Sequence, residues 1–321
     1  MDTLTARAGA LLGPRHQTYV VALVTPDGAE VEAVGVGEAG LHGDVELGSV
    51  SKGITGLLWR DAIDRGELSE HSVLGDHLDV PTTMAGIRLT ALATHTSGLP
   101  RLAGGSGMLR RSWELWREGR NPYREDLAGL LAQLREVKVG RARPAYSNLG
   151  FELLGHAVAE AASSTYADLV ATRFAGPLGL VDTYVPISAD LLRATAVPPR
   201  NRSGRVVDAW ANEAIAPAGG VRSSAADLAV LLRAMLDRTV PGATALDPVA
   251  PFGGRLQIGA AWLTGPLLRR TVTWHNGGTG GFRSFVGIDR DHGIGVALVS
   301  ASTRSVDGAA ARLLAEAGDA A

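Results

Sequence analysis

The sequence predicts an α+β fold in which strands from both ends of the chain share one antiparallel sheet. N- and C-terminal helices flank the sheet, and a mainly helical subdomain lies between the two groups of strands. Three observations carry this reading. Residues 19–25 and 29–36 are β-branched and alternating about Asp27-Gly28, residues 272–300 return to that pattern, and apolar residues in between recur at helical spacing. An isolated two-stranded hairpin is marginal in water, so the terminal strands are expected to pair with one another.

Each element has its own signal. Residues 1–14 are amphipathic, with an apolar patch at 8–12 too brief for a secretory segment, and no stretch reaches the roughly 20 apolar residues that span a bilayer. These points give an expectation of a cytoplasmic protein with no membrane partner. Asp27-Gly28 is a strong hairpin turn. Residues 51–65 put Ile54, Leu57, Leu58, Ala62 and Ile63 on one face of an amphipathic helix that starts at or just after Ser49 and stops at Gly66. Leu149, Leu153, Leu154, Val158 and Ala161 mark a second helix, and Ser224 with Asp227 opens a third through a capping box. Strands at 272–275, 282–289 and 294–300 and a final helix at about 306–317 complete the chain. The expected division is a sheet subdomain from 1–66 and 213–321 and a helical subdomain from 67–212, with a cleft between them.

Composition narrows the function. The 31 basic and 33 acidic residues leave a net charge of -2, and no run of one sign is long enough to follow a phosphate backbone, which argues against a nucleic-acid partner. With no cysteine, disulfides and thiolate chemistry are excluded. The eight histidines are scattered without ligand spacing, so no metal site is expected. Lys52 and Lys138 are the only lysines, which singles out a lysine at a special position. No feature sets an oligomeric state.

Three segments could carry chemistry. In Ser49-Val50-Ser51-Lys52, residues three apart share a helix face, so the Ser49 hydroxyl and the Lys52 amine can meet while Ser51 points elsewhere. The helix N-terminus favours a developing oxyanion, and burial would lower the proton affinity of Lys52 toward that of a base at neutral pH. About one such tetrapeptide is expected by chance in a chain this long, so it does not stand alone. In Tyr146-Ser147-Asn148, the tyrosine could take the serine's proton and return it to a leaving group, and the Asn148 amide could hold a substrate carbonyl or orient Lys52. The alternative is a core tyrosine followed by an asparagine N-cap. In residues 274–282, from Trp274-His275-Asn276-Gly277-Gly278 to Phe282, the glycines free a strand edge so that a substrate can lie against it and backbone N–H groups can reach a carbonyl oxygen. The alternative there is a wide loop with an ordinary histidine.

Taken in order and spacing, Ser-x-x-Lys, Tyr-x-Asn and His-x-Gly resemble the serine β-lactamase and penicillin-binding-protein superfamily, most closely its class C β-lactamase and family VIII esterase branch. Residues 95–100 (His-Thr-Ser-Gly-Leu-Pro), 217–220 and 280–282 extend the resemblance over nearly the whole chain. It implies a β-lactamase/transpeptidase-like fold and one catalytic unit, and no metal or organic cofactor. It further implies that Ser49 forms an acyl-enzyme and that Lys52 and Tyr146 relay its proton. Asn148, His275 and Gly277 would line the substrate site, and the Ser49 and Gly278 N–H groups would form the oxyanion hole.

Two departures shift the expected chemistry. His275 stands where β-lactamases of this family carry a lysine, and a neutral histidine cannot receive a substrate carboxylate as a fixed cation does. Arg283 stands where a small residue is usual, either restoring positive charge or lying on the surface. The leading expectation is a serine hydrolase or transacylase acting on a small-molecule or peptide ester or amide. The alternatives are a β-lactamase or D-amino-acid peptidase and, from another class, a non-catalytic binding or sensor module. Trp113, Trp116 and Tyr123 are read either as a lid or as a packed aromatic helix face.

Overall fold

In the computed structural model, which describes residues 3–104, 114 and 117–320, the chain opens with helix α1 (Leu4–Leu12) and a hairpin of β1 (Tyr19–Thr25) and β2 (Gly28–Val34). Next come a short strand β3 (Val45–Glu46), helix α2 (Val50–Asp64) and helix α3 (Asn148–Ala161). Strand β4 (Arg222–Ser223) and helix α4 (Ala225–Leu236) lead into six further strands: β5 (Ala250–Gly253), β6 (Leu256–Ile258), β7 (Leu263–Leu267), β8 (Arg270–Gly278), β9 (Arg283–Asp289) and β10 (Ile294–Ser300). Helix α5 (Asp307–Ala320) closes the chain.

Eight strands form one antiparallel sheet in the order β2-β1-β10-β9-β8-β7-β6-β5, and β3 pairs with β4 separately. β1 and β10 pair along their lengths, with Tyr19 opposite Ser300 and Val24 opposite Gly295, so the two ends of the chain do share one sheet. Residues 250–267 add three strands that sequence patterning did not signal. They are short, and Pro251, Gly253, Gly265 and Pro266 interrupt their alternation.

Both faces of the sheet are covered, which explains the almost unbroken apolar run of β1. Val20, Ala22 and Val24 face the large core shared with α2, α3 and α4, whereas Tyr19, Val21 and Leu23 pack with residues of α1 and α5. Three local readings are corrected. α2 is buried nearly all round, from Val50 to Ala62, and is not amphipathic. Its small face is closed by a crossing segment: a Cβ at Gly53 would meet Trp262 at 2.4 Å, and one at Gly56 would meet the Ala260 carbonyl at 2.3 Å. The cap of α3 is Ser147, whose Oγ accepts from Gly150 N–H at 2.9 Å, and not Asn148, which is the first helical residue. At α4, Ser224 does cap, accepting from Asp227 N–H at 3.2 Å, but the Asp227 carboxylate turns away to accept from Asp182 N–H and the Thr183 hydroxyl.

Candidate active site

The start of α2 abuts the glycine end of β8. Gly48 has a φ of 52°, and a Cβ there would lie 2.7 Å from Gly278 N, while one at Gly277 would lie 2.3 Å from Leu47 O and 2.8 Å from Ser49 N. Side chains at these positions would wedge the strand off the helix start. Their absence brings the Ser49 and Gly278 amides to the same corner of the cleft.

Ser49 is partly exposed, whereas Lys52, one turn on, is fully buried. Lys52 Nζ donates to Ser49 Oγ at 3.1 Å and to the Ala218 carbonyl at 2.5 Å. That carbonyl belongs to the short helical turn Ala216–Gly219, which also accepts the Thr55 hydroxyl at Pro217 O, 2.7 Å. Burial lowers the proton affinity of Lys52 below 10.5; Tyr146 and then Glu152 act against that fall, and Arg101 adds to it. Ser51 points away and accepts from Val221 N–H at 3.0 Å.

The loop before α3 holds Tyr146 over this pair. Lys52 Nζ is 5.1 Å from the Tyr146 ring centre, and the Arg101 guanidinium is 5.3 Å from it. The loop itself is held by Ser147 Oγ donating to Pro100 O at 2.7 Å and Asn148 N–H donating to Arg101 O at 2.9 Å. Asn148 is buried, and its Oδ1 has no hydrogen-bond partner among the described residues.

From β8, His275 reaches the same cluster, with its ring centre 6.5 Å from that of Tyr146. Its Nδ1 lies 2.7 Å from the Asn276 carbonyl and therefore carries the proton. Burial, then the charge of Lys52, takes its pKa from 6.5 to about 3, so the ring is neutral at physiological pH. Arg283 folds onto the glycine-rich turn, with Nη1 donating to Thr279 O at 3.0 Å and Phe282 O at 2.9 Å against Gly278. The structure thus brings Ser49, Lys52, Tyr146, His275, Gly277 and Gly278 together, with Asn148 two residues beyond Tyr146 at the start of α3. Trp113 and Trp116 lie outside the described residues; Tyr123 packs edge-on against Trp210 at 4.8 Å.

Several neighbours escaped sequence reasoning. Glu152, one turn after Asn148 on α3, is buried; burial, with Lys52 and Glu125 pulling in opposite directions, raises its carboxyl to about 8. A cavity of about 290 Å³ beside Tyr146 has Arg101, Lys138, Arg141 and Arg143 in its wall. Behind the glycine turn, Thr279 donates to Glu46, and Arg222 bridges Glu46 and Asp44 from a fully buried position. Arginine is the commonest cation of this chain, and nothing in its spacing distinguishes these positions from solvated ones.

An α+β fold in which a serine, a buried lysine and a tyrosine converge at a helix start is the arrangement to compare with known serine hydrolases. The family model described as Beta-lactamase matches residues 11–319, and the chain belongs to that family of serine hydrolases. It is 32% identical to the D-alanyl-D-alanine-carboxypeptidase/endopeptidase AmpH of Escherichia coli (strain K12) over 164 residues, which is 50% of this chain and 41% of that protein. It is 25% identical to a beta-lactamase-like protein of Arthroderma benhamiae, over 98% of this chain and 60% of that one. The chain thus spans about half the length of the curated relatives it matches. In fold it is similar to D-alanine carboxypeptidase AmpC from Burkholderia cenocepacia, with a TM-score of 0.78, 22% identity and coverage of 98% and 99% of the two chains. A class C beta lactamase from Rhodobacter sphaeroides gives a TM-score of 0.79 at 19% identity, covering 99% of each chain. The antiparallel sheet and its helices match this class C β-lactamase/transpeptidase fold, as the motif resemblance implied. Among the described residues, no helix is long and apolar enough to cross a membrane.

Proposed function

We propose that this protein is a serine hydrolase or transacylase that attacks an ester or amide carbonyl with Ser49. The observation that carries the reading is the 3.1 Å contact between Ser49 Oγ, on a partly exposed residue, and the buried Lys52 Nζ, whose proton affinity burial lowers. In this mechanism neutral Lys52 takes the Ser49 proton as Oγ adds to the carbonyl carbon and relays it to Tyr146. The carbonyl oxygen becomes an oxyanion and is met by the Ser49 and Gly278 N–H groups. When the tetrahedral intermediate collapses, Tyr146 returns the proton to the leaving oxygen or nitrogen, and an acyl-Ser49 remains. Water or an acceptor hydroxyl or amine then repeats the sequence in reverse roles. Asn148 and His275 flank the substrate in this scheme.

Neutral His275 favours simple esters and amides over substrates that need a fixed cation at that strand. The name of the Escherichia coli relative and the cationic wall beside Tyr146 favour a second reading, a β-lactamase or D-amino-acid peptidase acting on carboxylate-bearing amides. A fluorophosphonate should label Ser49 and leave Ser49→Ala unlabelled. An unlabelled, well-folded wild type overturns the serine mechanism, and biological activity surviving in Ser49→Ala would favour a non-catalytic binding module. Parallel turnover of an aryl ester, a chromogenic cephalosporin and a D-alanyl-D-alanine peptide ranks the substrate classes, with the ester expected to be fastest.

A further inference from the structure

His95 follows the short helix Leu89–Ala93 and carries two local penalties. Its φ is 56°, a left-handed conformation that a non-glycine residue rarely adopts. It is 2% exposed, and its Nε2 has no hydrogen-bond partner among the described residues. An unpaired buried polar atom is destabilising, because its bond to water is lost without replacement. A phenylalanine would fill the same space without that second cost.

These costs coincide with a grip on both sides of Tyr146. The His95 carbonyl accepts from Ala145 N–H at 2.9 Å, and His95 Nδ1 accepts from Ser147 N–H at 3.1 Å. Between these two anchors the His95 ring packs on the Tyr146 ring, with centres 4.6 Å apart, and is backed by Phe151 at 4.8 Å and Phe252 at 5.9 Å. A backbone N–H only donates, so Nδ1 must be unprotonated and the proton sits on Nε2. Burial first, then the proximity of Lys52 and His275, which disfavours a positive charge on this ring, holds its pKa well below 6.5 and keeps it neutral. The left-handed backbone turns the carbonyl and the ring of one residue toward the same loop. The acceptor at Nδ1 is what a phenylalanine would lack.

We propose that His95 is the positioning residue for Tyr146, holding the amides before and after it so that the phenol stays aimed at Lys52 and the leaving group. The proposal rests on the acyl-enzyme reading above, with Tyr146 as the group that protonates the leaving atom. His95→Phe keeps the ring and loses the acceptor; His95→Asn keeps an acceptor near the Nδ1 position and tolerates left-handed backbone.

The test compares an alkyl ester, whose leaving alkoxide needs a proton, with a p-nitrophenyl ester, whose leaving group does not. His95→Phe should lower kcat on the alkyl ester by about 100-fold with KM within about 3-fold, and on the aryl ester by less than about 5-fold. His95→Asn should recover kcat on the alkyl ester to within about 5-fold of wild type, and adding His95→Phe to Tyr146→Phe should cost less than about 2-fold more. Equal losses on both esters, or additive losses in the double variant, would overturn the positioning role. Should His95→Phe fail to fold, His95→Gln, whose amide reaches past the Nδ1 position, replaces it under the same criteria. Fluorophosphonate labelling separates the two levels. An unlabelled wild type overturns the acyl-enzyme reading and this proposal together, whereas a labelled wild type with uniform losses overturns this proposal alone.

Discussion

Among the described residues two cations, Arg222 and Lys52, are buried, and they are held in opposite ways. Arg222, 1% exposed, bridges the carboxylates of Asp44 and Glu46 and donates to the Asp44 and Val197 carbonyls at 2.8 and 3.2 Å. Lys52, 0% exposed, donates to a neutral hydroxyl and a neutral carbonyl. Arginine cannot give up its proton in a protein, so a buried arginine must be neutralised by partners. Lysine can, and burial without a carboxylate partner lowers its proton affinity. The first arrangement ties β3 to β4 and braces Thr279; the second supplies a base. Burial alone does not distinguish a staple from a catalyst, but the charge of the partners does.

The contrast can be broken by exchanging each cation for an apolar residue of similar length. Lys52→Met should reduce the rate of Ser49 acylation by about 10³–10⁴-fold, as loss of a catalytic base does. Its melting temperature should change little, because removing a buried amine that has no carboxylate partner offsets the loss of its bonds to Ser49 Oγ and the Ala218 carbonyl. A large fall in melting temperature would mean that Lys52 is structural. Arg222→Met should do the reverse. It strands Asp44 and Glu46 as buried carboxylates, and urea titration should report a loss of about 3–5 kcal/mol. Acylation per folded molecule should remain within about 3-fold of wild type.

Smaller effects sharpen the same comparison. Because burial lowers the Lys52 pKa, the acylation rate should rise with pH through a midpoint below 10.5, and a midpoint at or above that value would remove the basis for Lys52 as the base. His275 supplies a stability test. Its folded pKa is depressed from 6.5 to about 3, so between those values the unfolded chain binds a proton that the native ring does not. Stability therefore rises with pH across that window and is lost as acid is added, approaching about 1.4 kcal/mol per pH unit for this one group. His275→Asn should flatten the acid limb of a melting-temperature profile by up to that slope. An unchanged slope would mean that the ring is not held neutral.

Much of this could be read before any coordinates. The Asp27-Gly28 hairpin, the helix after Ser49, the capping serine of α4 and the last two strands depend on local spacing, and local spacing is what a sequence displays. The cluster of Ser49, Lys52, Tyr146 and His275 was legible because three motifs in order constrain one another more than any does singly. The strands of residues 250–267 were not legible, since each is too short to show a period and proline or glycine interrupts them. The all-round burial of α2 was hidden as well. Gly53 and Gly56 lie directly against Trp262 and Ala260, more than two hundred positions away in the chain, so only the folded structure shows what they admit.

Residue identity alone thus determined that a serine and a lysine share a helix face, that the ends of the chain are strands, and that thiolate chemistry is excluded. Tertiary structure decided which charges are buried and beside what. It left Lys52 against neutral groups, gave Arg222 two carboxylates, made His275 neutral by enclosing it, and set His95 around Tyr146 from fifty-one positions earlier in the chain. The reason is physical: propensity and periodicity act between near neighbours, whereas desolvation depends on everything that packs around a group, and only the folded chain specifies that.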